Sequence, residues 1–349
     1  MTPPDDLIWM KRALQLAAMA EGCTSPNPMV GAVVVNDGMI IGEGYHLKAG
    51  TPHAEVHAIN AVKDSTLLPG STIYVSLEPC SHHSRTPPCA DLIISSGIRR
   101  VVIGTTDTNP EVAGRGTARL REAGAEVITG VMEEECRHLN RRFFTWHEKK
   151  RPYVILKWAR SADGFIDLLR KPGDAIEPNW ITGHAERVLV HRWRAAEDAI
   201  LAGGGTVRAD NPSLTTRYWS GKNPLRVIIS RTASLDPSSA VFDEAAETLL
   251  FTCNEQAAFR GAKTIILKGG GNYIQEVLTT LHSMGIQSLF VEGGAFIIRS
   301  FLEAGLWDEA RRFTGVARFG TGVPDPFTEF TPEKTVNFDK SILEFAYHF

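Results

Sequence analysis

Charge of one sign is the first thing the chain lacks. Its 37 Lys and Arg against 40 Asp and Glu leave a formal net charge of −3 over 349 residues. No global field therefore draws it to nucleic acid or to an anionic membrane. No apolar run reaches the roughly 18–20 residues of a membrane span. Cysteine is scarce and odd in number, five in all, and without small-scaffold spacing. That argues against a disulfide framework and leaves the cytoplasm as the expected compartment. The opening "MTPPDDLIWMKRALQLAAMA" puts acids ahead of its apolar stretch, so it reads as a helix and not as a signal peptide. No internal repeat or low-complexity segment breaks the chain.

What is present suffices for two domains. With 43% hydrophobic residues, each half can bury a core. Residues 5–21 read as a helix, and "MVGAVVVNDGMIIGEGY" as a hairpin turning at Asn-Asp-Gly. A helix is expected from near Pro52, then strand "STIYVSLEP", helix "CADLIISSG", strand "RRVVIGTTD", helix "GRGTARLREAG" and strand "AEVITG". This order predicts an α/β layer on a mixed sheet. The basic, proline-bearing "FFTWHEKKRPY" interrupts it, so the domains are expected to be 1–148 and 149–349. The second half starts strand and helix again, with glycines at the C-terminal ends of its strands, where open α/β sheets bind ligands.

Two short stretches carry the chemistry, "HAEVHAI" at 53–59 and "EPCSHHSRTPPC" at 78–89. His53, Cys80 and Cys89 offer one imidazole and two thiolates, a zinc set that leaves a coordination position for water. Each is expected at a helix start, where the helix dipole favours a thiolate. Glu55 lies about 200° round an ideal helix from His53. It is a poor ligand for the same metal but well placed to move protons beside it. A zinc-bound water has its pKa lowered towards roughly 7, and H-x-E with P-C…C is the arrangement of zinc deaminases. A structural zinc site would need a fourth ligand, for which His57, His82 and His83 are available. The metalloprotease pattern is excluded because position 54 is Ala.

"TSPNPMVGAVVV", "AGTPHAEVHAI", "SLEPCSHHSRTPPCADLI" and "DTNPEVAGRG" resemble the RibD family, bacterial bifunctional enzymes of riboflavin biosynthesis. The resemblance implies a cytidine-deaminase-like three-layer α/β domain followed by a dihydrofolate-reductase-like domain. It implies zinc-dependent deamination of a phosphoribosylaminopyrimidine, then NADPH-dependent reduction of the ribosyl side chain. Eight residues separate the cysteines here, where nucleic-acid deaminases typically have two. By resemblance Asn27, His46, His82 and Arg85 hold the pyrimidine and ribose phosphate. Asn27 also suits a plain Pro-Asn-Pro turn, and His82 and Arg85 a solvated loop.

On its residues alone the second half says less. "AGGGTVRADNP" permits close backbone approach to a phosphate or ring, but it is not G-x-G-x-x-G. "FVEGGAFIIRSF" sets glycines before a helix start, a natural anion site. With "PYVILKWARSADG" and "WITG" these segments resemble the family's reductase half. By resemblance Ala159, Trp180, Thr206, Asp210 and Gly294, Ala295, Phe296, Ile297, Ile298, Arg299 and Ser300 line the cofactor site. Lys157, Arg194, Leu214, Arg217 and Glu292 line the substrate site. Lys157 would donate to the sugar oxygen as hydride arrives, and Arg194 and Arg217 would clamp the phosphate. An inward-leaning strand lysine is the plain alternative for Lys157, and an Asx-turn for Asp210.

The chain departs from the family at Pro178, where a serine is common, and at Ser230-Arg231, where Asp then Ser or Thr is usual. Arg231 is a candidate partner for a 2′-phosphate. The resemblance is sharpest over 23–116, moderate over 150–300 and weak beyond 325. It implies a homo-oligomer, dimer or tetramer, with no nucleic-acid or membrane partner. The competing function is a nucleic-acid or nucleoside deaminase with an appended binding domain, which would call for a basic face.

Overall fold

The structure is a computed structural model that describes residues 4–81, 87–108, 113–171, 176, 179–269 and 271–348. The chain forms two compact units, Met1–Lys150 and Arg151–Phe349. His82, Arg85 and Pro178 lie outside the described residues. Among the described residues no helix is long and apolar enough to cross a membrane.

The first unit runs α1 (Pro4–Ala18), β1 (Gly31–Asn36), β2 (Met39–Tyr45), α2 (Ala54–Asn60), β3 (Thr72–Leu77), α3 (Cys89–Ser95), β4 (Arg100–Thr105), α4 (Arg115–Glu122), β5 (Glu126–Thr129), α5 (Glu133–Leu139) and α6 (Arg141–Lys149). Its sheet has the order β2-β1-β3-β4-β5. β1 runs antiparallel to both neighbours, and β3, β4 and β5 run parallel. Strand alternation explains the three layers. Ala32, Val34, Ile73, Val75, Val101 and Ile103 face α2, α3 and α4. Val33, Val35, Tyr74 and Val102 face α1 and α5. The β1–β2 turn places Asp37 and Gly38 at φ 46° and 73°, the left-handed pair a tight hairpin demands.

The second unit runs β6 (Tyr153–Arg160), β7 (Phe165–Asp167), α7 (His184–Ala196), β8 (Ala199–Gly203), α8 (Gly204–Asp210), β9 (Leu225–Ile229), β10 (Thr248–Thr252), β11 (Lys263–Ile266), α9 (Tyr273–Ser283), β12 (Ser288–Val291), α10 (Ala295–Glu303), β13 (Glu309–Gly315), β14 (Val323–Pro324), β15 (Lys334–Asn337) and β16 (Ser341–Tyr347). The order β11-β10-β9-β8-β12-β6-β13-β16-β15 makes one sheet, parallel through β13 and antiparallel at β16 and β15. Val154, Leu156, Leu289 and Val291 pack on α9 and α10. Tyr153, Ile155, Ile200 and Phe290 pack on the α7 side. Lys157 continues the second set, and that parity aims it at the α7 side of the sheet.

Four expectations change. Pro52 stands outside α2, whose N-cap is His53. Cys80 is not at a helix start: it follows β3 in a loop, and only Cys89 opens a helix. "FFTWHEK" is helical, because Phe143 and Phe144 give α6 a buried face. Gly203 and Gly204 are packing glycines. An added Cβ would lie 2.7 Å from Ile297 Cγ1 at the first and 2.8 Å from Ser230 Oγ at the second. Only Gly205 of the three faces open space.

Candidate functional site

The loop after β3 and the start of α3 carry Cys80 and Cys89, and the N-cap of α2 carries His53. The donor atoms of these three residues all lie within 4.8 Å of one another. His53 Nδ1 faces both sulfurs, 3.3 Å from Cys89 Sγ and 3.6 Å from Cys80 Sγ. The Cys89 backbone N–H donates to Cys80 Sγ at 3.3 Å, and the Ala90 N–H donates to the Cys80 carbonyl at 3.1 Å. The start of α3 therefore serves Cys80 although Cys80 does not begin a helix. Bonding from Cys89 lowers the Cys80 thiol below its ordinary value, with His53 adding to it against the opposing effect of burial. Two sulfurs and one imidazole suit zinc. His82 and His83 lie outside the described residues, and among the described residues the group has three members. His57 is not one of them: its Cβ packs against Gly44, and its buried Nε2 has no partner.

Glu55 is 3% exposed in the first turn of α2. Burial raises its carboxyl to about 7, with the His53 charge opposing and Cys80 assisting. It bonds the Cys89 thiol, so it borders the donor cluster. Asn27 and His46 reach the same place. His46 Nδ1–H donates to the Pro52 carbonyl at 3.1 Å, which leaves Nε2 to accept from Asn27 Nδ2 at 3.1 Å. The His46 ring meets His53 edge-on at 5.4 Å. The turn reading of Asn27 also holds, since its N–H donates to the Thr24 carbonyl. Sequence reasoning passed over Glu78. Its buried carboxylate accepts the N–H groups of Asp107, Gly114 and Thr117 and ties α4 to the Pro79-Cys80 turn. A carboxylate at a strand end directly before Pro-Cys was the available signal.

In the second unit Lys157 on β6, Glu292 just past β12 and Arg194 on α7 converge between the central strands of the sheet and α7. Arg194 grips Glu292 with Nε to Oε1 at 2.6 Å and Nη2 to Oε2 at 3.0 Å. Lys157 Nζ stands 3.6 Å from Glu292 Oε2. Burial alone would raise the Glu292 carboxyl, but Arg194 and Lys157 outweigh it and hold it at about 2. Burial lowers Lys157, with Arg194 adding to it and Glu292 opposing. The third Arg194 nitrogen, Nη1, donates to the Thr215 carbonyl at 3.0 Å. Arg194 is thus committed to protein partners, and the exposed Arg217 is the freer guanidinium. Leu214 is buried and sits at φ 51°, a strained conformation for a branched side chain.

The expected cofactor residues gather less tightly. Thr206 Oγ1 accepts the Gly294 N–H at 3.1 Å and joins α8 to the start of α10. Gly294 caps α10 with no side-chain bond, and an added Cβ there would meet only Thr206 Oγ1, at 3.4 Å. Open glycine backbone at an uncapped helix start fits a cofactor phosphate. Ile297 and Ile298 point into the core, so only their backbone is on offer. Phe296 and Arg299 are exposed, and Ser300 Oγ donates to the Phe296 carbonyl at 2.8 Å. Ala159 packs beside the α7-side core. Trp180 is exposed under the Arg187 guanidinium, 4.6 Å from its ring centre. Asp210 ends α8 and pairs with Arg170 at 2.9 Å, in place of an Asx-turn. Arg231 lies 5.9 Å from the Tyr273 ring centre, and Ser230 packs against Gly204.

Comparison with known proteins agrees with this geometry. Residues 4–105 match the family model "Cytidine and deoxycytidylate deaminase zinc-binding region". Residues 152–341 match "RibD C-terminal domain". The riboflavin biosynthesis protein RibD of Aquifex aeolicus is 43% identical over 325 residues, covering 91% of this chain and 89% of that protein. Its counterpart in Escherichia coli is 38% identical over 322 residues, covering 87% and 86%. A crystal structure of the diaminohydroxyphosphoribosylaminopyrimidine deaminase/5-amino-6-(5-phosphoribosylamino)uracil reductase of Thermotoga maritima superposes with a TM-score of 0.88. It is 40% identical and covers 99% of each chain. The first unit is thus cytidine-deaminase-like and the second has the RibD reductase fold. The chain belongs to the RibD family of riboflavin biosynthesis, which joins a zinc-dependent deaminase to an NADPH-dependent reductase.

Proposed function

We propose that residues 1–148 deaminate 2,5-diamino-6-(5-phosphoribosylamino)pyrimidin-4-one and residues 149–349 reduce the product to 5-amino-6-(5-phosphoribitylamino)uracil. The observation that carries this reading is the cluster of His53, Cys80 and Cys89 with buried Glu55 at its border. His53 Nδ1 and the two sulfurs would hold zinc, which when bound activates water for attack on the amino-bearing carbon. Glu55 takes the water proton and delivers it to the leaving nitrogen. Its carboxyl, raised to about 7, is poised to do both near neutrality. Asn27 and His46, locked together, orient the pyrimidine, and His82 and Arg85 complete the ribotide site.

In the second unit NADPH, when bound, supplies the hydride. Gly294 to Ser300, with Thr206, Asp210, Ala159 and Trp180, would hold it at the start of α10. Lys157 donates a hydrogen bond to the sugar oxygen, and Glu292 fixes Lys157 and Arg194 against one another. Leu214 packs the pyrimidine, and Arg217 takes the ribose phosphate. The protein acts in the cytoplasm as a homo-oligomer, dimer or tetramer, on a small ribotide and without nucleic acid. A net charge of −3 supports the last point. The test is to give the purified protein the diaminopyrimidine ribotide with and without NADPH. Ammonia release followed by NADPH oxidation is expected. Ammonia release with no NADPH oxidation would overturn the bifunctional reading.

A further inference from the structure

His191 is a buried histidine of the second unit that the mechanism leaves unused. It lies on α7 three residues before Arg194, so the two share a helix face. The ring is 4% exposed, and Tyr218 packs against it edge-on at 4.8 Å. Its Nδ1 accepts the backbone N–H of Arg217 at 2.8 Å. An Nδ1 that accepts must be unprotonated. Burial first, then the charges of Arg194 and Arg217, hold the ring at about 4 and so favour that state; Lys157 adds to this, and Glu292 opposes.

This bond sits where the chain most needs fixing. The segment 214–217 is neither helix nor strand. Arg194 Nη1 holds the Thr215 carbonyl at 3.0 Å, and Asn223 Oδ1 accepts the Thr216 N–H at 2.8 Å. His191 supplies the next link, at the residue whose guanidinium is exposed. An apolar side chain could fill the same volume, but it would leave the Arg217 amide without its partner. Filling space therefore does not account for a histidine here.

We propose that His191 is a positioning residue of the reductase, which fixes the Arg217 backbone so that the guanidinium meets the substrate's phosphate. The proposal rests on reading Arg217 as the phosphate ligand, and the test separates the two. Asn at 191 places an amide oxygen near the position of Nδ1, whereas Gln carries it about one bond further out. His191→Gln should raise KM for the phosphorylated substrate up to about tenfold, the upper worth of one neutral hydrogen bond. Its kcat, its KM for NADPH and its kcat/KM for the dephosphorylated substrate should stay within about twofold. His191→Asn should recover most of the loss, and thermal melting checks that both variants fold. A merely structural role would weaken both substrates alike, or leave His191→Asn as impaired as His191→Gln. Either result overturns the proposal, as does wild-type behaviour in both variants. Arg217→Ala should abolish the preference for the phosphorylated substrate. If it does and His191→Gln does not, only the proposal fails. If Arg217→Ala keeps the preference, the phosphate reading fails and takes the proposal with it.

Discussion

The site in the first unit gathers one imidazole and two sulfurs within 4.8 Å. The site in the second gathers two cations on one carboxylate, Lys157 and Arg194 on Glu292. Both are largely buried clusters of ionisable groups, yet they are held differently. The first is an unbalanced donor set that a dication completes, and its ligands sit on a helix cap, a loop and a helix start. The second already balances much of its own charge through a two-pronged Arg–carboxylate pair. It is spread over β6, α7 and the end of β12, which meet only when the sheet forms. The first site therefore depends on a bound ion, and the second on the fold.

The largest effect expected from this contrast is at the first site. Cys89→Ser should abolish zinc retention and lower deamination more than about 100-fold, since even outer-sphere partners of a metal cost 10–100-fold. Glu55→Gln should lower deamination about 10²–10⁴-fold while zinc stays bound. Metal analysis beside an ammonia assay distinguishes the two. A chelator should reproduce the first result and leave reduction of the uracil ribotide intact. If the chelator also stops reduction, the two sites are not separate in the way described.

The converse experiment removes the carboxylate that balances the second site. Glu292→Ala leaves Lys157 and Arg194 as buried cations without their anion, at a cost of about 3–5 kcal/mol. Thermal melting of the second unit should register that loss, while zinc content and ammonia release hold. A smaller effect separates the units by pH. Burial holds the folded His191 ring at about 4, below the 6.5 of the unfolded chain. Between those values the unfolded chain binds more protons. Stability is therefore full above about 6.5 and falls as pH drops towards about 4. Melting followed at about pH 7 and about pH 5 should show a larger acid loss in the wild type than in His191→Asn, which lacks the titrating group. Equal losses would remove His191 as the cause.

The same contrast explains what could be read from the sequence. The candidate zinc ligands His53, Cys80 and Cys89 and Glu55 lie in two short motifs whose residue types and spacing made them readable from the sequence. The apolar runs around Ala32–Val35 and Ile73–Val75, with the Asn-Asp-Gly turn after the first, made the first sheet equally legible. Cys80 does not stand at the expected helix start because its helix-derived support comes from α3, which begins at Cys89, and not from its own position. In the second unit no motif announces that Arg194 spends its guanidinium on Glu292, 98 residues away. That is a property of topology. His191 was invisible because what it binds is a backbone N–H, which every sequence offers everywhere, and Glu78 was marked only by its place before Pro-Cys. α6 was missed because its basic residues hid the pair Phe143–Phe144.

The glycine triplet gives the finest test of the comparison, because it separates packing from ligand approach within three residues. Gly203 carries Ile297 so closely that an added Cβ would lie 2.7 Å from Cγ1, whereas nothing stands within 4 Å of a Cβ at Gly205. Gly203→Ala forces Ile297 from its place in the core, at about 1–3 kcal/mol. Gly205→Ala lies inside α8, where alanine is the better helix former by about 1 kcal/mol. The free protein should therefore tolerate it or gain slightly, by thermal melting. If the open backbone at Gly205 serves NADPH, the added methyl should raise KM for NADPH by several-fold, about what one unfavourable contact of this size costs. KM for the ribotide and the rate of deamination should not move. An unchanged KM for NADPH in a fully folded Gly205→Ala would place the cofactor away from the start of α8. The uncapped start of α10 would then have to hold its phosphate alone.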